Sequence, residues 1–261
     1  MSILLSGDFH ANSKKELDII TKEALIENYQ QEKFDSIKYH IILGDAGFMW
    51  HGNYKEDVLN FKELALRPFP ILSVIGNHEP VLGMKDVPEV DIGIGEPVLQ
   101  IYDKPFTAYL KRGKVYNIDG FKFLVLGGAL SIDKHLRRVG ISWWENEYWS
   151  TEEKRDLFKL LETENAFDYV ISHTAPSRVI AEIFSRLKGY LPNFFDEVAA
   201  LNERIDGMVT CKQWFCGHWH NDIYHYDENM QRGYQFLYKK TALMTHNGSI
   251  GGNSPGEILI V

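Results

Sequence analysis

The chain has 261 residues and a formal net charge of −8, with 44% hydrophobic, 25% charged and 13% aromatic residues. This composition excludes disorder and fibrous repeats and allows one sizeable core, so a single domain over 1–261 is expected; the acidity argues against a surface that coats long nucleic acid, where clustered Lys and Arg supply the binding energy. The two cysteines, Cys211 and Cys216, fit neither a disulfide framework nor a thiolate metal site.

No basic stretch or long apolar segment precedes the first motif, so a secretory leader is not expected. The longest apolar run, 123–132, is interrupted by Gly127, Gly128 and Ser131 and is too short to span a bilayer. The expectation is a cytoplasmic protein with no membrane association. Residues 3–6 form an apolar strand ended by Gly7. Over 13–32, Leu17, Ile20, Ala24, Leu25 and Ile26 recur at helical spacing, with Ser13 as N-cap and Glu16 three residues on. A strand at 39–43 ended by Gly44, a helix at 54–66 stopped by Pro68, and a strand at 71–75 ended by Gly76 continue the alternation. Strand, helix, strand, helix, strand predicts a mostly parallel sheet with right-handed crossovers, hence an α/β fold.

Residues 79–109 are rich in Pro, Gly and Asp and read as a long loop with one irregular strand near 98–102. A hairpin is expected next, 114–118 and 121–126 joined by Asp119 and Gly120. An aromatic and basic insertion over 127–150 precedes a helix at 151–165 and a strand at 169–172, and a further helix is placed at 194–205. Short strands at 213–216, 223–226, 234–237, 240–244 and 257–261 are expected to pair antiparallel. Asn247, Gly248 and Ser249 match a glycosylation sequon but read as a tight turn in a cytoplasmic chain.

The chemistry lies in five clusters in a fixed order: Asp8 and His10 in GDFH, Asp45 in LGDAG, Asn77 and His78 in GNHE, His173 in ISHT, and His218 and His220 in GHWH. Carboxylate oxygen and imidazole nitrogen suit borderline divalent ions such as Mn, Fe or Zn, whereas a Mg or Ca cage is mostly oxygen. Each cluster follows a predicted strand, and open α/β sheets bind ligands beyond the carboxyl ends of their strands. Asp8 and His10, two apart in extended chain, share a face. Taken singly, each cluster is a turn, a helix cap or a hydrogen-bonded histidine; all five in order at strand ends point to one metal site.

The ordered set resembles the calcineurin-like metallophosphoesterase superfamily, whose motifs run GDxH, GDxxD, GNHE or GNHD, GH and GHxH, and the likeness covers residues 7–220. The resemblance implies a four-layer α/β/β/α sandwich, two facing mixed sheets flanked by helices. It also implies two divalent ions, one held by Asp8, His10, Asp45 and His220 and the other by Asp45, Asn77, His173 and His218, with Asp45 bridging. Manganese is the expected ion, with Fe, Zn, Ni or Co as alternatives. Two departures stand out: Phe48 occupies a position where many members have a second Asp, and Ser172 one where Gly is common. The first is unlike the GDxVDRG pattern of protein phosphatases that act on phosphoserine and phosphothreonine.

The activity so implied is hydrolysis of a phosphate ester, with a hydroxide shared by the ions attacking phosphorus. His78 is the candidate to protonate the leaving oxygen or stabilise the transition state, the alternative being support of a neighbouring ligand. Glu79 is expected to orient a histidine. In the insertion, His135, Arg137 and Arg138 are candidates to hold a phosphate, and Trp143, Trp144 and Trp149 to stack on a flat group, against the plainer reading of a solvated basic turn with aromatic packing. Trp50, His51 and His246 are candidates to line the same cleft, whereas His40 and His225 are expected to be structural or exposed. The substrate class is a nucleotide or small phosphorylated compound, cleaved as a monoester or a diester. A nuclease of the same superfamily and a catalytically silent scaffold with the same fold are the competing readings.

Overall fold

Strand β1 (Ser2–Ser6) is buried along its whole length, which is why Ile3, Leu4 and Leu5 follow one another without polar alternation. In the computed structural model, which describes residues 2–10, 21–49, 69–80, 87–104, 106–186, 196–245 and 257–261, β1 pairs in parallel with β2 (Ile37–Ile42), and β2 in parallel with β3 (Ile71–Ser73). Around this parallel centre lie β4 (Glu89–Val90), β5 (Val98–Asp103), β6 (Phe106–Tyr109), β13 (Thr241–Thr245) and β14 (Ile258–Ile260), giving the order β14-β13-β1-β2-β3-β6-β5-β4 among the described residues. A second sheet holds β7 (Lys114–Ile118), β8 (Phe121–Leu126), β9 (Tyr169–Ser172), β10 (Gln213–Cys216), β11 (Ile223–Asp227) and β12 (Arg232–Phe236) in the order β11-β12-β10-β9-β8-β7.

Side-chain alternation sorts the core into three layers. Ile3, Leu5, Ile41, Leu43 and Leu72 of the first sheet meet Tyr116, Phe123, Tyr169, Ile171 and Phe215 of the second, so the sheets lie face to face. The opposite face of the first sheet, through Leu4, Ile42 and Ile71, takes Leu25 and Tyr29 of α1 (Lys22–Tyr29) and Phe34 of α2 (Gln31–Asp35). The outer face of the second sheet, through Leu124, Val170, Trp214 and Cys216, takes α3 (Thr151–Thr163), α4 (Ser177–Arg186) and α5 (Glu197–Asp206). The result is the expected helix, sheet, sheet, helix arrangement. Burying a side chain such as Ile171 or Phe215 contributes about 1.5–3 kcal/mol, so the layer between the sheets is a principal source of stability.

Local signals set the element ends. Asp119 and Gly120 take φ of 48° and 82°, the left-handed pair of a type I′ turn, and the hairpin β7–β8 pairs in the register the sequence predicts. Ser150 and Glu153 form a reciprocal capping box at the start of α3. The described part of the helix expected over 13–32 is two helices: Thr21 caps α1 and Gln30, at φ 70°, breaks the chain before α2. The Ser13 cap, the helix expected at 54–66 and the turn at Asn247, Gly248 and Ser249 lie outside the described residues.

Three expectations are corrected. The segment 79–109, expected as a loop with one strand near 98–102, contributes that strand as β5 and two more, β4 and β6, and the three extend the first sheet beyond β3. Helix α4 was not foreseen. The C-terminal strands are not uniformly antiparallel: β12 lies between β11 and β10, so it runs antiparallel to the first and parallel to the second, and β10 is also parallel to β9. Strand β13 crosses to the other sheet and pairs antiparallel with β1 and β14. Among the described residues no helix is long and apolar enough to cross a membrane.

Candidate metal centre

The parallel strands β1, β2 and β3 deliver Asp8 and His10, Asp45, and Asn77 and His78 from their carboxyl ends, and β9 and β10 deliver His173, His218 and His220 from the facing sheet. Backbone bonds hold these ends together: the His10 N–H donates to the Asp45 carbonyl at 2.8 Å, Gly217 N–H to the His173 carbonyl at 2.9 Å, and Gly128 N–H to the Ile75 carbonyl at 2.8 Å across the two sheets. His10, Asp45, His218 and His220 have φ between 48° and 66°, making four of the seven non-glycine residues with positive φ among those described. Left-handed backbone at such residues is costly and concentrates where the surroundings force a functional geometry. Gly76 is required by close approach: a Cβ there would stand 2.1 Å from Asp45 Oδ1.

Of four groups among the described residues whose donor atoms lie within 4.8 Å of one another, three are built from these candidates, namely Asp8, His10 and His220; His10, Asp45 and His78; and Asp45, His173 and His218; the fourth, Glu182, His225 and Asp227, shares no residue with them. Consecutive triads share His10 and Asp45. His10 Nε2 and His220 Nε2 are 3.0 Å apart, and His220 Nε2 is 3.6 Å from Asp8 Oδ2. On the other side His173 Nε2 lies 2.9 Å from Asn77 Oδ1 and 3.3 Å from Asp45 Oδ2. His173 Nδ1–H donates to the Leu43 carbonyl at 2.8 Å, which fixes the ring and leaves Nε2 facing the cluster. The His78 N–H donates to Asp45 Oδ1 at 3.0 Å, and its ring Nε2 is 3.7 Å from Asp45 Oδ2.

The electrostatics are those of a crowded cage. Burial and the neighbouring Asp45 push the Asp8 carboxyl well up, with His173 acting against them. Asp45 is held well below the usual carboxylate range because His173 and His78 outweigh its burial. Burial disfavours the His173 imidazolium, but Asp45 and Asp8 outweigh it and raise the ring to about 10. Burial lowers His10 to about 4 and depresses His78 and His218. Both Asp8 oxygens are buried without a well-formed hydrogen bond, although the His218 amide favours their ionised form. A fully buried carboxylate left so, facing imidazole nitrogens only about 3–4 Å away, fits a divalent cation.

The surroundings correct one expectation. Among the described residues Glu79 hydrogen-bonds no histidine: its Oε1 accepts from the Ala46 N–H at 2.7 Å and the Tyr109 hydroxyl at 3.0 Å, and its Oε2 from the Gly76 N–H at 2.6 Å. It therefore ties the turns after β2 and β3 together, and burial raises its carboxyl to about 7. Phe48 is buried against Tyr109, so this position belongs to the core. Ser172 has a structural use, donating to the Thr174 carbonyl and accepting from Trp214 Nε1. His40 is a buried partner of Ser6, and His225 pairs with Glu182 away from the cluster.

Of the candidates named in the insertion, Arg137 reaches the cluster. Its guanidinium nitrogens lie 3.0 and 2.9 Å from the two ring nitrogens of His78, and its Nε pairs with Asp133 at 2.7 Å. His135 and Arg138 are exposed, and no described contact joins either to the cluster. Trp143 and Trp149 are buried, Trp149 donating from Nε1 to the Gly127 carbonyl at 2.8 Å, while Trp144 is half-buried. Trp50, His51 and His246 lie outside the described residues. Sequence reasoning missed Tyr238, whose ring stacks on His220 at 4.6 Å, and Ser131 and Glu147 beside Asn77. Ser131 and Glu147 stood inside the insertion, but nothing in their spacing marks a hydrogen bond to a residue 54 positions away.

A family profile described as calcineurin-like phosphoesterase matches residues 1–222. No curated protein matches the chain significantly. Among solved structures, one crystal structure shares 10% identity at a TM-score of 0.55, covering 100% of this chain and 98% of the other. A novel archaeal phosphodiesterase gives 10% identity and a TM-score of 0.40, with coverage of 100% and 99%. A phosphopantetheinyl hydrolase from Mycobacterium tuberculosis gives 12% identity and a TM-score of 0.41, with coverage of 91% and 90%. Of these three, the first is the one whose likeness supports a shared fold.

Proposed function

The chain belongs to the calcineurin-like phosphoesterase family and is a metal-dependent phosphoesterase, and from that premise we propose that it hydrolyses a nucleotide or another small phosphorylated compound at a two-ion centre. The observation that carries this reading is the chain of donor triads that runs from Asp8, His10 and His220 through His10, Asp45 and His78 to Asp45, His173 and His218. Asp8, His10, Asp45 and His220 would hold one ion and Asp45, Asn77, His173 and His218 the other. Manganese is the ion we favour, since oxygen and nitrogen donors are mixed in both sets. When bound, such a pair supplies Lewis acidity and a water acidic enough to deprotonate near neutral pH.

The remaining work falls to the chain itself. Asp45 keeps one oxygen on the His78 amide and the other near His173, so its carboxylate is oriented toward both halves of the centre. We assign His78, which lies between Asp45 and Arg137, the role of offering an N–H to the departing oxygen once the Arg137 guanidinium, a donor only, has turned from its ring to the substrate. Arg137, steadied at Nε by Asp133, is suited to an anionic oxygen of the substrate; the exposed Arg138 and His135 stay candidates for the same task on their chemistry alone. The net charge of −8 favours a small anion drawn to a local cationic centre over a long nucleic acid. The two free thiols, Cys211 and the buried Cys216, suit a cytoplasmic setting.

The test is a screen of phosphomonoesters, cyclic nucleotides, dinucleotides and single-stranded oligonucleotides with Mn, Ni, Co or Zn. On the best compound Asp45→Asn abolishes turnover, and His78→Ala lowers kcat about 10²–10⁴-fold. Arg137→Ala raises KM about 10–100-fold, as expected for loss of a charge-assisted bond of about 1.5–3 kcal/mol. Protein loaded with both ions that turns over none of these phosphoesters overturns the proposal.

A further inference from the structure

Asn77 has an orientation problem that the carboxylate ligands do not. Its side chain ends in an acceptor oxygen and a donor nitrogen, and only the oxygen suits a cation. The oxygen faces the cluster, 2.9 Å from His173 Nε2, while Nδ2 donates to Ser131 Oγ at 2.8 Å. Ser131 in turn donates its single hydroxyl proton to Glu147 Oε1 at 2.5 Å, and its N–H donates to Glu147 Oε2 at 3.0 Å. With that proton committed, Ser131 Oγ can face Asn77 only as an acceptor, so a flipped amide would set oxygen against oxygen on one side and N–H against the cation on the other.

Glu147 is held firmly enough to impose this polarity. It is 1% exposed and Ser131 is 3% exposed. The neighbouring carbonyls of Asn146 and Tyr148 accept from Arg112 Nη1 and Nη2 at 2.8 and 2.7 Å, bracing the backbone on both sides of it. Asn146 Nδ2 also donates to the Glu79 carbonyl at 3.0 Å, joining this turn to the one that carries Asn77.

We infer that Ser131 and Glu147 are positioning residues that fix the Asn77 amide with Oδ1 toward the second ion, which makes the 127–150 segment part of the support of the metal centre. This rests on the reading of Asn77 as a ligand. An Asn77→Asp variant separates the two ideas, because a carboxylate offers an oxygen in either orientation and needs no polarity imposed on it. Manganese binding is measured by calorimetry on wild type, Ser131→Ala, Asn77→Asp and the double variant, with Glu147→Gln and Asn77→Ala alongside and circular dichroism to verify the fold.

Ser131→Ala is expected to weaken the second ion about 10–100-fold in the Asn77 protein, as loss of an outer partner of a ligand does. The first ion is unaffected, and in the Asn77→Asp background the same substitution costs less than about threefold. Glu147→Gln, whose amide can donate to Ser131 and free the hydroxyl proton, weakens the same ion. Equal losses from Ser131→Ala in both backgrounds show a general role in folding the segment and overturn the inference, as does no loss in the Asn77 protein. If Asn77→Ala binds both ions as tightly as wild type, the ligand assignment itself fails.

Discussion

Substituting Gly76 by Ala tests the closeness of the turns that build the centre. The added Cβ would lie 2.1 Å from Asp45 Oδ1, 2.4 Å from the Asp45 amide nitrogen and 2.8 Å from its Cγ, where ordinary contacts begin near 3.4 Å. Because backbone is among the atoms met, a side-chain rotation cannot relieve the overlap, and the turns after β2 and β3 must separate by about an ångström. Overpacking of this kind costs about 1–3 kcal/mol. For a chain of this length that lowers Tm by about 2–12 °C. The control is Gly207→Ala, at φ −72° with its nearest neighbour 3.7 Å away, where the change is neutral or stabilising by about 0.4–1 kcal/mol.

Metal linkage sharpens the contrast. On the proposed reading of the centre, manganese at 100 times its Kd would stabilise wild type by about 2.7 kcal/mol, or about 5–10 °C. With Asp45 displaced, Gly76→Ala loses most of that increment, whereas Gly207→Ala keeps it. Differential scanning calorimetry with and without manganese reads both quantities. A Gly76→Ala protein that binds two ions and shows the full manganese shift refutes the reasoning, whatever its Tm in the absence of metal.

Three further outcomes follow from contacts away from the cluster. Burial opposes ionisation of Glu153, but Arg112 outweighs it and holds the carboxyl below its ordinary range, so its contribution is present above the unfolded value of about 4.3 and is lost as pH falls through the lower folded value. Glu153→Gln therefore costs about 1–2 kcal/mol in urea unfolding at pH 7, the group being partly exposed, and the difference from wild type shrinks toward pH 3.5; a pH-independent difference contradicts this. Arg232 is buried against Asp206 and the Val209 carbonyl, and Arg232→Met costs about 3–5 kcal/mol at pH 7 by leaving Asp206 only its Arg178 and Tyr234 partners; a change in chemical denaturation midpoint worth under about 1 kcal/mol would count against it. Trp149→Phe removes the donor to the buried Gly127 carbonyl and lowers stability by about 1–3 kcal/mol, read by thermal melts.

Much of this fold was legible because its signals are local. Asp119 and Gly120 specify their turn by themselves, and Tyr169, Val170 and Ile171 form an unbroken apolar run before Ser172 and His173, so both elements appear where the residues predict them. The metal-binding candidates were legible for a related reason: each cluster lies just beyond the carboxyl end of a strand, and these ends converge from the two facing sheets. Helix α4 also carried a signal, since Val179, Ile180, Ile183 and Phe184 fall on one buried stripe after Pro176. By contrast, β4 and β6 are two and four residues long, and they are strands only because β3 and β5 lend them partners. The parallel pairing of β12 with β10 depends on which strand takes the edge, a tertiary choice that periodicity does not encode. Glu79 misled because adjacency to Asn77 and His78 suggested a histidine partner, whereas its carboxylate turns back to the amides of Ala46 and Gly76.

The cluster draws Asp8, Asp45 and Asn77 from one sheet and His173 and His218 from the other, so its dimensions are a measure of how the two sheets are seated. Tyr169 and Phe215, whose rings lie 5.9 Å apart on the second sheet's inner face, act as shims: with the rest of the layer between the sheets, their bulk fills the gap that the donors span. Trimming a shim lets the leaves of the sandwich settle, and ion affinity becomes a remote gauge of packing at the centre of the molecule.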